Sequence, residues 1–297
     1  GGDRAGAEAA LEAAIEAGGA PAGQQAPRVA LVGAGPGSAD LITLRGVERL
    51  QSADIVFHDR LVDPGVLELA RRDAERVAVG KAPGAHAWPQ ERINRAMVAA
   101  ARRGLRVVRL KGGDPGIFAR GTEEADALDV AGIGWEVVPG VTAASAAAAD
   151  TGTFLTERGE IRSLVLTTGQ TADGEAPDWA EHARRGSAVA FYMAVSAAPR
   201  IAAELIRAGV PESLGVDIIE RAGTPAMRHL KTTLGCLAYT VEAAAVENPA
   251  VLMLRWRRGA AAEKGSTVVP FAEKGRPHAH HRRAEADCGF EVAAHPH

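Results

Sequence analysis

Two adjacent glycines followed by a carboxylate and a proline form the segment of this sequence that points most clearly to chemistry. Leu110-Lys111-Gly112-Gly113-Asp114-Pro115 ends an apolar run, so the glycines stand where a strand would finish. Glycine has no Cβ, which lets a ligand approach the backbone, and the Asp114 carboxylate can accept hydrogen bonds from an amine or a ribose hydroxyl. The segment predicts a ligand-binding loop, and a tight turn is the alternative for the two glycines.

A second glycine-rich turn, Gly33-Ala34-Gly35-Pro36-Gly37, follows the apolar run Val29 to Val32. Its spacing differs from the GxGxxG of dinucleotide-binding folds, and Pro36 lacks the backbone N–H that a pyrophosphate cradle would use. The turn therefore disfavours a dinucleotide site, and a purely structural turn stays open as an alternative.

Two charged side chains follow other strand-like runs. Asp59 comes soon after the run Asp54 to Phe57, and Lys81 follows the run Arg76 to Val79. Open parallel sheets bind ligands at the carboxyl ends of their strands, so Asp59 is a candidate acid–base group and Lys81 a candidate contact to an anion. The alternatives are a helix-capping role for Asp59 and a solvated loop position for Lys81.

The segment Val138-Pro139-Gly140-Val141-Thr142-Ala143 marks another junction between a strand and a helix. It offers backbone N–H groups and the Thr142 hydroxyl to a ligand. A helix N-cap formed by Thr142 is an equally good interpretation.

Alternating strands and helices must position these segments. The apolar runs named above alternate with helical stretches such as Leu44 to Gln51 and Gln90 to Arg103, a pattern typical of βαβ units and a mostly parallel sheet. A second α/β unit follows the Ala-rich segment Thr142 to Ala149. The sequence predicts an α/β fold with four parts: a helical segment and linker at 1–27, an N-terminal α/β domain at 28–140, a C-terminal α/β domain at 141–258 and a disordered tail at 259–297.

The overall composition limits the classes of function. Lys and Arg number 34 against 37 Asp and Glu, so the formal net charge is −3 and no general attraction to nucleic acid is expected. No apolar run approaches the roughly 20 residues that cross a bilayer, so no membrane span is expected. Cys236 and Cys288 lie far apart, which argues against a disulfide framework and favours a reducing cytoplasm. The His-rich tail is interpreted as solvated, and no metal site is expected.

Taken in order, the segments VGAGPG, HDRLV, VGK followed by PQERIN, VRLKGGDP and VPGVTA resemble the uroporphyrinogen III C-methyltransferase family within the tetrapyrrole methylases. The resemblance covers Arg28 to Trp256, and LKGGDP together with DRLV is far more specific than a glycine loop alone. It implies two α/β domains of the tetrapyrrole methylase type with a cleft between them. It also implies S-adenosyl-L-methionine as methyl donor, an anionic tetrapyrrole substrate and a homodimer. The segment before Arg28 is similar to the joint that precedes the methylase half of bifunctional siroheme synthases, which implies a preceding oxidase and chelatase half.

The resemblance also implies roles for individual residues. Asp59 matches the family's proposed proton acceptor and Lys81 its proposed proton donor. Arg60, Arg120 and Arg158 are candidate contacts to the substrate carboxylates. Met193 would pack against the adenine, with core packing as its alternative. The positions that match donor-contacting residues of the family are Pro36, Gly112, Gly113, Asp114, Ile117, Thr142, Ala143, Met193 and Ala222.

The implied reaction transfers two methyl groups in succession to ring carbons of uroporphyrinogen III, giving precorrin-2 for siroheme or cobalamin. A ring carbon attacks the sulfonium methyl, so the protein supplies alignment and proton transfer. The alternatives are another methylase of the same superfamily, a nicotinamide-dependent oxidoreductase and a donor-binding domain without activity. Several positions depart from the family pattern and concern turnover more than donor binding: Gly116, Ala119, Thr122, Glu157, Gln170 and Ala194.

Overall fold

The computed structural model describes residues 28–80, 88–170, 177–259 and 288–293, which form two α/β units. The first unit consists of β1 (Val29–Gly33), α1 (Leu44–Ser52), β2 (Ile55–His58), α2 (Pro64–Leu67), β3 (Glu75–Ala78), α3 (Gln90–Arg102), β4 (Val107–Lys111), α4 (Gly121–Val130) and β5 (Trp135–Val138). The second consists of α5 (Ala143–Asp150), β6 (Ser163–Thr168), α6 (Trp179–His182), β7 (Ser187–Tyr192), α7 (Ala198–Arg207), β8 (Gly215–Glu220), β9 (Arg228–Thr233), α8 (Leu237–Ala243), β10 (Ala250–Trp256) and β11 (Glu291–Ala293). Within this part of the chain, no helix is long and apolar enough to cross a membrane.

The first sheet is parallel throughout, with the order β3-β2-β4-β1-β5. Every residue of the central strands β1 and β4 is buried, as expected of parallel strands covered by helices on both faces. After β1 the chain continues to β2 and β3 at one edge of the sheet, and after β4 it continues to β5 at the opposite edge. The direction of strand addition therefore reverses between β1 and β4. Such a switch point is where open α/β sheets bind ligands, and it lies at the carboxyl ends Gly33 and Lys111.

The second sheet is mixed, with the order β11-β9-β8-β10-β7-β6, and its described strands are antiparallel neighbours except for the parallel pair β6 and β7. One face buries a large core that includes Trp179 and Phe191. The other face is covered by α5, whose alanines pack against Ala190 and Met253. The small side chains of α5 allow this helix to lie close to the sheet.

The structure corrects the interpretation of the tail and of the two cysteines. Glu291–Ala293 pairs with β9 as an antiparallel edge strand, and Cys288 forms a disulfide with Cys236, with a Cα–Cα distance of 5.4 Å. The expectations of no disulfide and no ordered structure after residue 258 were therefore wrong for this segment. They failed because the separation of 52 residues along the chain is no measure of distance once the tail pairs with the sheet. The predicted helical segment at 1–27, Lys81 and the His-rich part of the tail lie outside the described residues.

Candidate active site

Three glycine-bearing loops of the first unit meet at the switch point. Gly35 and Gly113 form an antiparallel bridge, in which the Gly113 N–H donates to Gly35 O at 2.7 Å and the Gly35 N–H to Gly113 O at 3.2 Å. A Cβ on Gly140 would lie 2.3 Å from Gly113 O, and one on Gly33 would lie 2.6 Å from the Gly140 Cα. Neither position has room for a side chain. The glycines thus allow three backbone segments to pack directly against one another.

Asp114 holds two of these loops together and borders an open stretch of backbone. Its Oδ1 accepts from the Gly116 N–H at 2.7 Å and its Oδ2 from the Gly140 N–H at 2.9 Å. A carboxylate has lone pairs left for further donors after these two bonds. Gly113 has a φ of 70°, and a Cβ placed there would meet nothing within 4 Å. A ligand can therefore approach the chain beside Asp114.

The second unit reaches the Pro36 turn from the other side. The Ser38 N–H donates to Gly223 O at 2.7 Å, and the same oxygen would lie 2.5 Å from a Cβ on Gly37. A Cβ on Gly223 would lie 3.1 Å from the Pro36 Cγ. Ala222 precedes Gly223, so the structure brings the predicted donor-contacting positions Pro36 and Ala222 together across the two units.

Thr142 is bonded to a tyrosine that sequence reasoning did not select. Thr142 Oγ1 and Tyr192 OH share a hydrogen bond at 2.6 Å, and the Ala144 N–H donates to the same phenol oxygen at 3.0 Å. Thr142 is the N-cap residue of α5, as the alternative interpretation had it, but its side chain makes no capping hydrogen bond and contacts Tyr192 instead. Burial raises the pKa of the Tyr192 phenol, which keeps it protonated at neutral pH. Its place at the end of an apolar strand-like run was the signal that could have found it.

Exposed side chains from both units border this junction. Met193 has a φ of 51° and is 40% exposed, so the alternative of core packing does not apply. The ring of Phe118 lies 5.2 Å from that of Tyr192, centroid to centroid. Ile117 precedes Phe118 and donates its N–H to Asp114 O at 3.2 Å. These contacts connect the Asp114 loop to the end of β7.

Asp59 lies at the carboxyl end of β2, beside the glycine loop that follows β4. Its N–H donates to Leu110 O at 3.1 Å, and its Oδ1 accepts from the Arg109 Nη2 at 2.5 Å. The side chain is 33% exposed and is therefore accessible to a substrate. The helix cap in this segment is Asp63, which accepts from the Gly65 N–H at 2.7 Å. The capping alternative for Asp59 was therefore wrong.

Three buried charges lie behind Asp59. Arg109 Nε donates to Glu124 Oε1 at 2.9 Å, and Lys111 Nζ donates to Glu124 Oε2 at 2.7 Å. All three side chains are at most 3% exposed. Desolvation lowers the pKa of Lys111, with repulsion from Arg109 acting in the same direction and Glu124 opposing it. Sequence reasoning missed Arg109 and Glu124, although two charges at alternate positions of a buried strand could have indicated a common partner.

The predicted cationic contacts lie in different places. Arg60 is exposed at the end of β2, where its backbone N would lie 2.6 Å from a Cβ on Gly80. Arg120 is exposed near the Asp114 loop and forms an ion pair with Glu123 at 2.6 Å, which raises the pKa of Arg120.

Arg158 is not brought to this edge of the molecule. Neighbouring Glu157 pairs with Arg257 at 2.8 Å, just beyond the Trp256 end of the second sheet. Strand pairing places Trp256 beside Ser187 and Val251 beside Tyr192, five residues or roughly 17 Å of extended strand away. The structure therefore does not support a contact between Arg158 and a ligand in this cleft of the same chain.

The groups around Gly113 are backbone amides, a carboxylate, a hydroxyl and apolar side chains. A phosphate would require cations or free N–H groups, and Pro36 offers none at the turn. The set fits a nucleoside joined to a cationic amino acid, because Asp114 can accept from ribose hydroxyls or an ammonium while the exposed Met193 and the half-buried Pro36 offer apolar surface. S-adenosyl-L-methionine has this chemistry.

Residues 28–238 match the family of tetrapyrrole (corrin/porphyrin) methylases. The siroheme synthase of Sodalis glossinidius is 44% identical over 280 residues, which are 90% of this chain and 58% of that protein. The siroheme synthase of Tolumonas auensis is 48% identical over 207 residues, 69% of this chain and 44% of that protein. The chain thus spans about half the length of these curated relatives.

Solved structures of tetrapyrrole methyltransferases are also similar to this chain. The uroporphyrin-III C-methyltransferase of Thermus thermophilus, complexed with S-adenosyl homocysteine, is similar with a TM-score of 0.67 and 39% identity, covering 77% of this chain and 97% of that one. A cobalt precorrin-4 methyltransferase is similar with a TM-score of 0.70 and 27% identity, covering 79% of this chain and 98% of that one. The predicted two-domain α/β fold is confirmed, and the chain belongs to the tetrapyrrole methylase family.

Proposed function

We propose that this chain transfers methyl groups from S-adenosyl-L-methionine to uroporphyrinogen III, two in succession on ring carbons, giving precorrin-2 for siroheme or cobalamin. The observation that carries the proposal is the open backbone at Gly113, beside a carboxylate that ties two loops together at the switch point of a parallel sheet. The names of the relatives, siroheme synthase and uroporphyrin-III C-methyltransferase, support the acceptor.

In this proposal the junction of the two units holds the donor. When bound, the donor supplies an electrophilic methyl group on a sulfonium sulfur. Asp114 accepts hydrogen bonds from its polar groups, and the loops orient it for attack by a ring carbon, so that positioning contributes most of the rate enhancement. The residues proposed to contact the donor are Pro36, Gly112, Gly113, Asp114, Ile117, Thr142, Ala143, Met193 and Ala222.

Asp59 is the proposed proton acceptor: methyl transfer breaks the bond between sulfur and the methyl group, releases S-adenosylhomocysteine and leaves a cationic tetrapyrrole, which then loses a proton from a position next to the methylated carbon. The ion pair with Arg109 fixes the direction of its carboxylate, while its exposed fraction leaves it accessible to the tetrapyrrole. Lys81 is the proposed proton donor. Arg60 and Arg120 are the proposed contacts to substrate carboxylates, because both are exposed near the carboxyl ends of the first sheet.

The proposal extends to the setting of the chain. We propose a homodimer, and a parent protein in which an oxidase and chelatase half precedes this methylase. A cytoplasmic setting is proposed from the similarity to siroheme synthases alone, because the Cys236–Cys288 disulfide removes the argument from cysteine spacing. The greater length of the curated siroheme synthases supports the second part. Sedimentation velocity would test the first part, since a single species at the monomer mass would contradict it.

The acceptor is tested by incubating the protein with isotopically labelled S-adenosyl-L-methionine and uroporphyrinogen III. We expect a dimethylated product by mass spectrometry and two equivalents of transferred label. Transfer to a later corrinoid precursor but not to uroporphyrinogen III would favour another methylase of the family. Calorimetric titration separates the remaining alternatives: S-adenosylhomocysteine should bind and NAD should not. Donor binding without turnover on either acceptor would indicate a domain that has lost activity.

A further inference from the structure

Four side chains of alternating charge run from the cleft into the core of the first unit. We call Asp59, Arg109, Glu124 and Lys111 the charge chain. Arg109 connects Asp59 to Glu124, with contacts of 2.5 and 2.9 Å, and Glu124 connects Arg109 to Lys111 at 2.7 Å. Asp59 is the one member of the four with appreciable exposure, at 33%. The charge chain therefore has one member, Asp59, in the cleft and its other three members in the interior.

Glu124 is the member of the charge chain that accepts hydrogen bonds from three other side chains. The Nε edge of Arg109 points at Glu124 Oε1, while Nη2 of the same guanidinium points at Asp59. Because a guanidinium is planar and rigid, fixing one edge fixes the direction of the other. Gln90 Nε2 donates to the same Glu124 oxygen at 3.1 Å, which anchors the carboxylate from α3.

The charge chain is balanced, with two cations and two anions. Burying charges is costly, and a buried ion pair becomes strongly unfavourable when one partner is removed. A purely structural requirement would be met equally well by apolar side chains of similar size. The charges therefore call for another explanation, and the connection of Glu124 to Asp59 through one guanidinium offers it.

We propose that Glu124 is a positioning residue for proton transfer at Asp59: it holds Arg109 by the Nε edge so that the Asp59 carboxylate faces the substrate. This inference rests on the proposed function. Glu124 touches neither donor nor acceptor in it and acts through Arg109. Lys111 supplies the counter-charge that allows the Glu124 carboxylate to be buried.

Two double variants separate positioning from packing. Glu124→Gln with Lys111→Met removes one charge of each sign, so Asp59 and Arg109 remain a balanced pair, and the amide carbonyl of the introduced glutamine can still accept from Arg109 Nε. Glu124→Leu with Lys111→Met has the same charge balance but no acceptor for Arg109 Nε, while the contacts of the guanidinium with Asp59 and Leu110 O remain. Both avoid an unpaired buried charge, so both should fold. The Lys111→Met change is common to both, so its effect on the neighbouring donor loop cancels.

We expect the Gln/Met variant to keep kcat within about threefold of the parent. The Leu/Met variant should lose about 10-fold or more, since small errors in the placement of a catalytic group cost at least that much. The KM for the donor and the affinity for S-adenosylhomocysteine should match in the two variants. Equal kcat in the two variants would overturn the proposal. So would a parallel loss of donor affinity, because a packing defect would affect binding and turnover together.

A measurement independent of turnover separates this inference from the proposed acceptor. The Arg109 Nε–H should give a slowly exchanging NMR signal in the parent and in the Gln/Met variant and a rapidly exchanging one in the Leu/Met variant. Slow exchange in all three proteins would contradict the anchoring role. If the parent fails to methylate uroporphyrinogen III but these signals behave as expected, the proposed acceptor is wrong and the anchoring of Arg109 stands.

Discussion

Asp59 and Asp63 lie four residues apart in one connection of the first unit and have different surroundings. Asp63 accepts from the backbone N–H of Gly65 and caps α2. Asp59 forms an ion pair with a buried guanidinium and presents its remaining surface to the cleft. The carboxylate thus bonds to a backbone N–H at position 63, whereas at position 59 it stays partly exposed beside a buried guanidinium.

This difference predicts that replacement by alanine affects turnover at position 59 and stability at position 63. Asp59→Ala should lower kcat by about 10²-fold, the usual contribution of a general base, while the affinity for S-adenosylhomocysteine is retained. Asp63→Ala should leave kcat unchanged and reduce the free energy of unfolding by about 1 kcal/mol, the usual value of a cap. Steady-state kinetics and urea denaturation of both variants provide the measurement. Normal turnover by Asp59→Ala would remove this carboxylate from the mechanism.

At the level of elements, the glycine junction of β1, β4 and β5 borders the proposed donor site. Gly140→Ala places a methyl group 2.3 Å from Gly113 O, so the three loops must separate. We expect a loss of about 1–3 kcal/mol in the free energy of unfolding, as for other overpacked sites, together with weaker binding of S-adenosylhomocysteine. Gly215→Ala is the matched control, because a Cβ there meets nothing within 4 Å. Equal donor affinity in the two variants would contradict a role of the junction in binding.

Strongly periodic elements were predictable from the sequence to within one or two residues. The run Val29 to Val32 became Val29–Gly33, and the helix expected over Gln90 to Arg103 is Gln90–Arg102. Buried parallel strands and amphipathic helices have patterns that local sequence specifies. The meeting of the glycine loops was also predictable, since parallel strands place their carboxyl ends at one edge.

Elements that depend on pairing with distant residues could not be predicted in the same way. Arg228–Thr233 alternates weakly and contains three charged or titratable side chains, yet it forms a strand because β8 and β11 lie on either side of it. Glu291–Ala293 is too short to carry a signal of its own. The ion pairs of Arg109 were missed for the same reason, since Glu124 becomes its partner only when α4 packs on the sheet.

At the scale of the whole molecule, the disulfide joins the described end of the chain to the edge of the second sheet. Cys236 follows the Thr233 end of β9, which pairs with Gly215. The opposite end of β8 leads to Ala222 and the proposed donor site, so the bond lies far from the proposed chemistry. Its contribution should therefore be to stability alone.

Cys288→Ser should reduce the free energy of unfolding by up to about 4 kcal/mol, the chain-entropy value for a cross-link between residues 52 apart. The kcat of the variant should equal that of the parent. Thermal denaturation with and without dithiothreitol is the measurement. The reductant should shift the melting temperature of the parent to that of the variant and leave the variant unaffected. A variant as stable as the parent would mean that the bond contributes nothing.

The contact between Gly37 and Gly223 also bears on how such a protein can diverge. The two units approach closely there, with the Ser38 N–H bonded to Gly223 O and no room for a side chain on Gly37. A side chain on Gly37 would lie 2.5 Å from Gly223 O, so a substitution there would push the two units apart. New acceptor preferences would arise more readily at exposed positions such as Arg60 and Phe118, where a change of side chain leaves this contact and the proposed donor site intact.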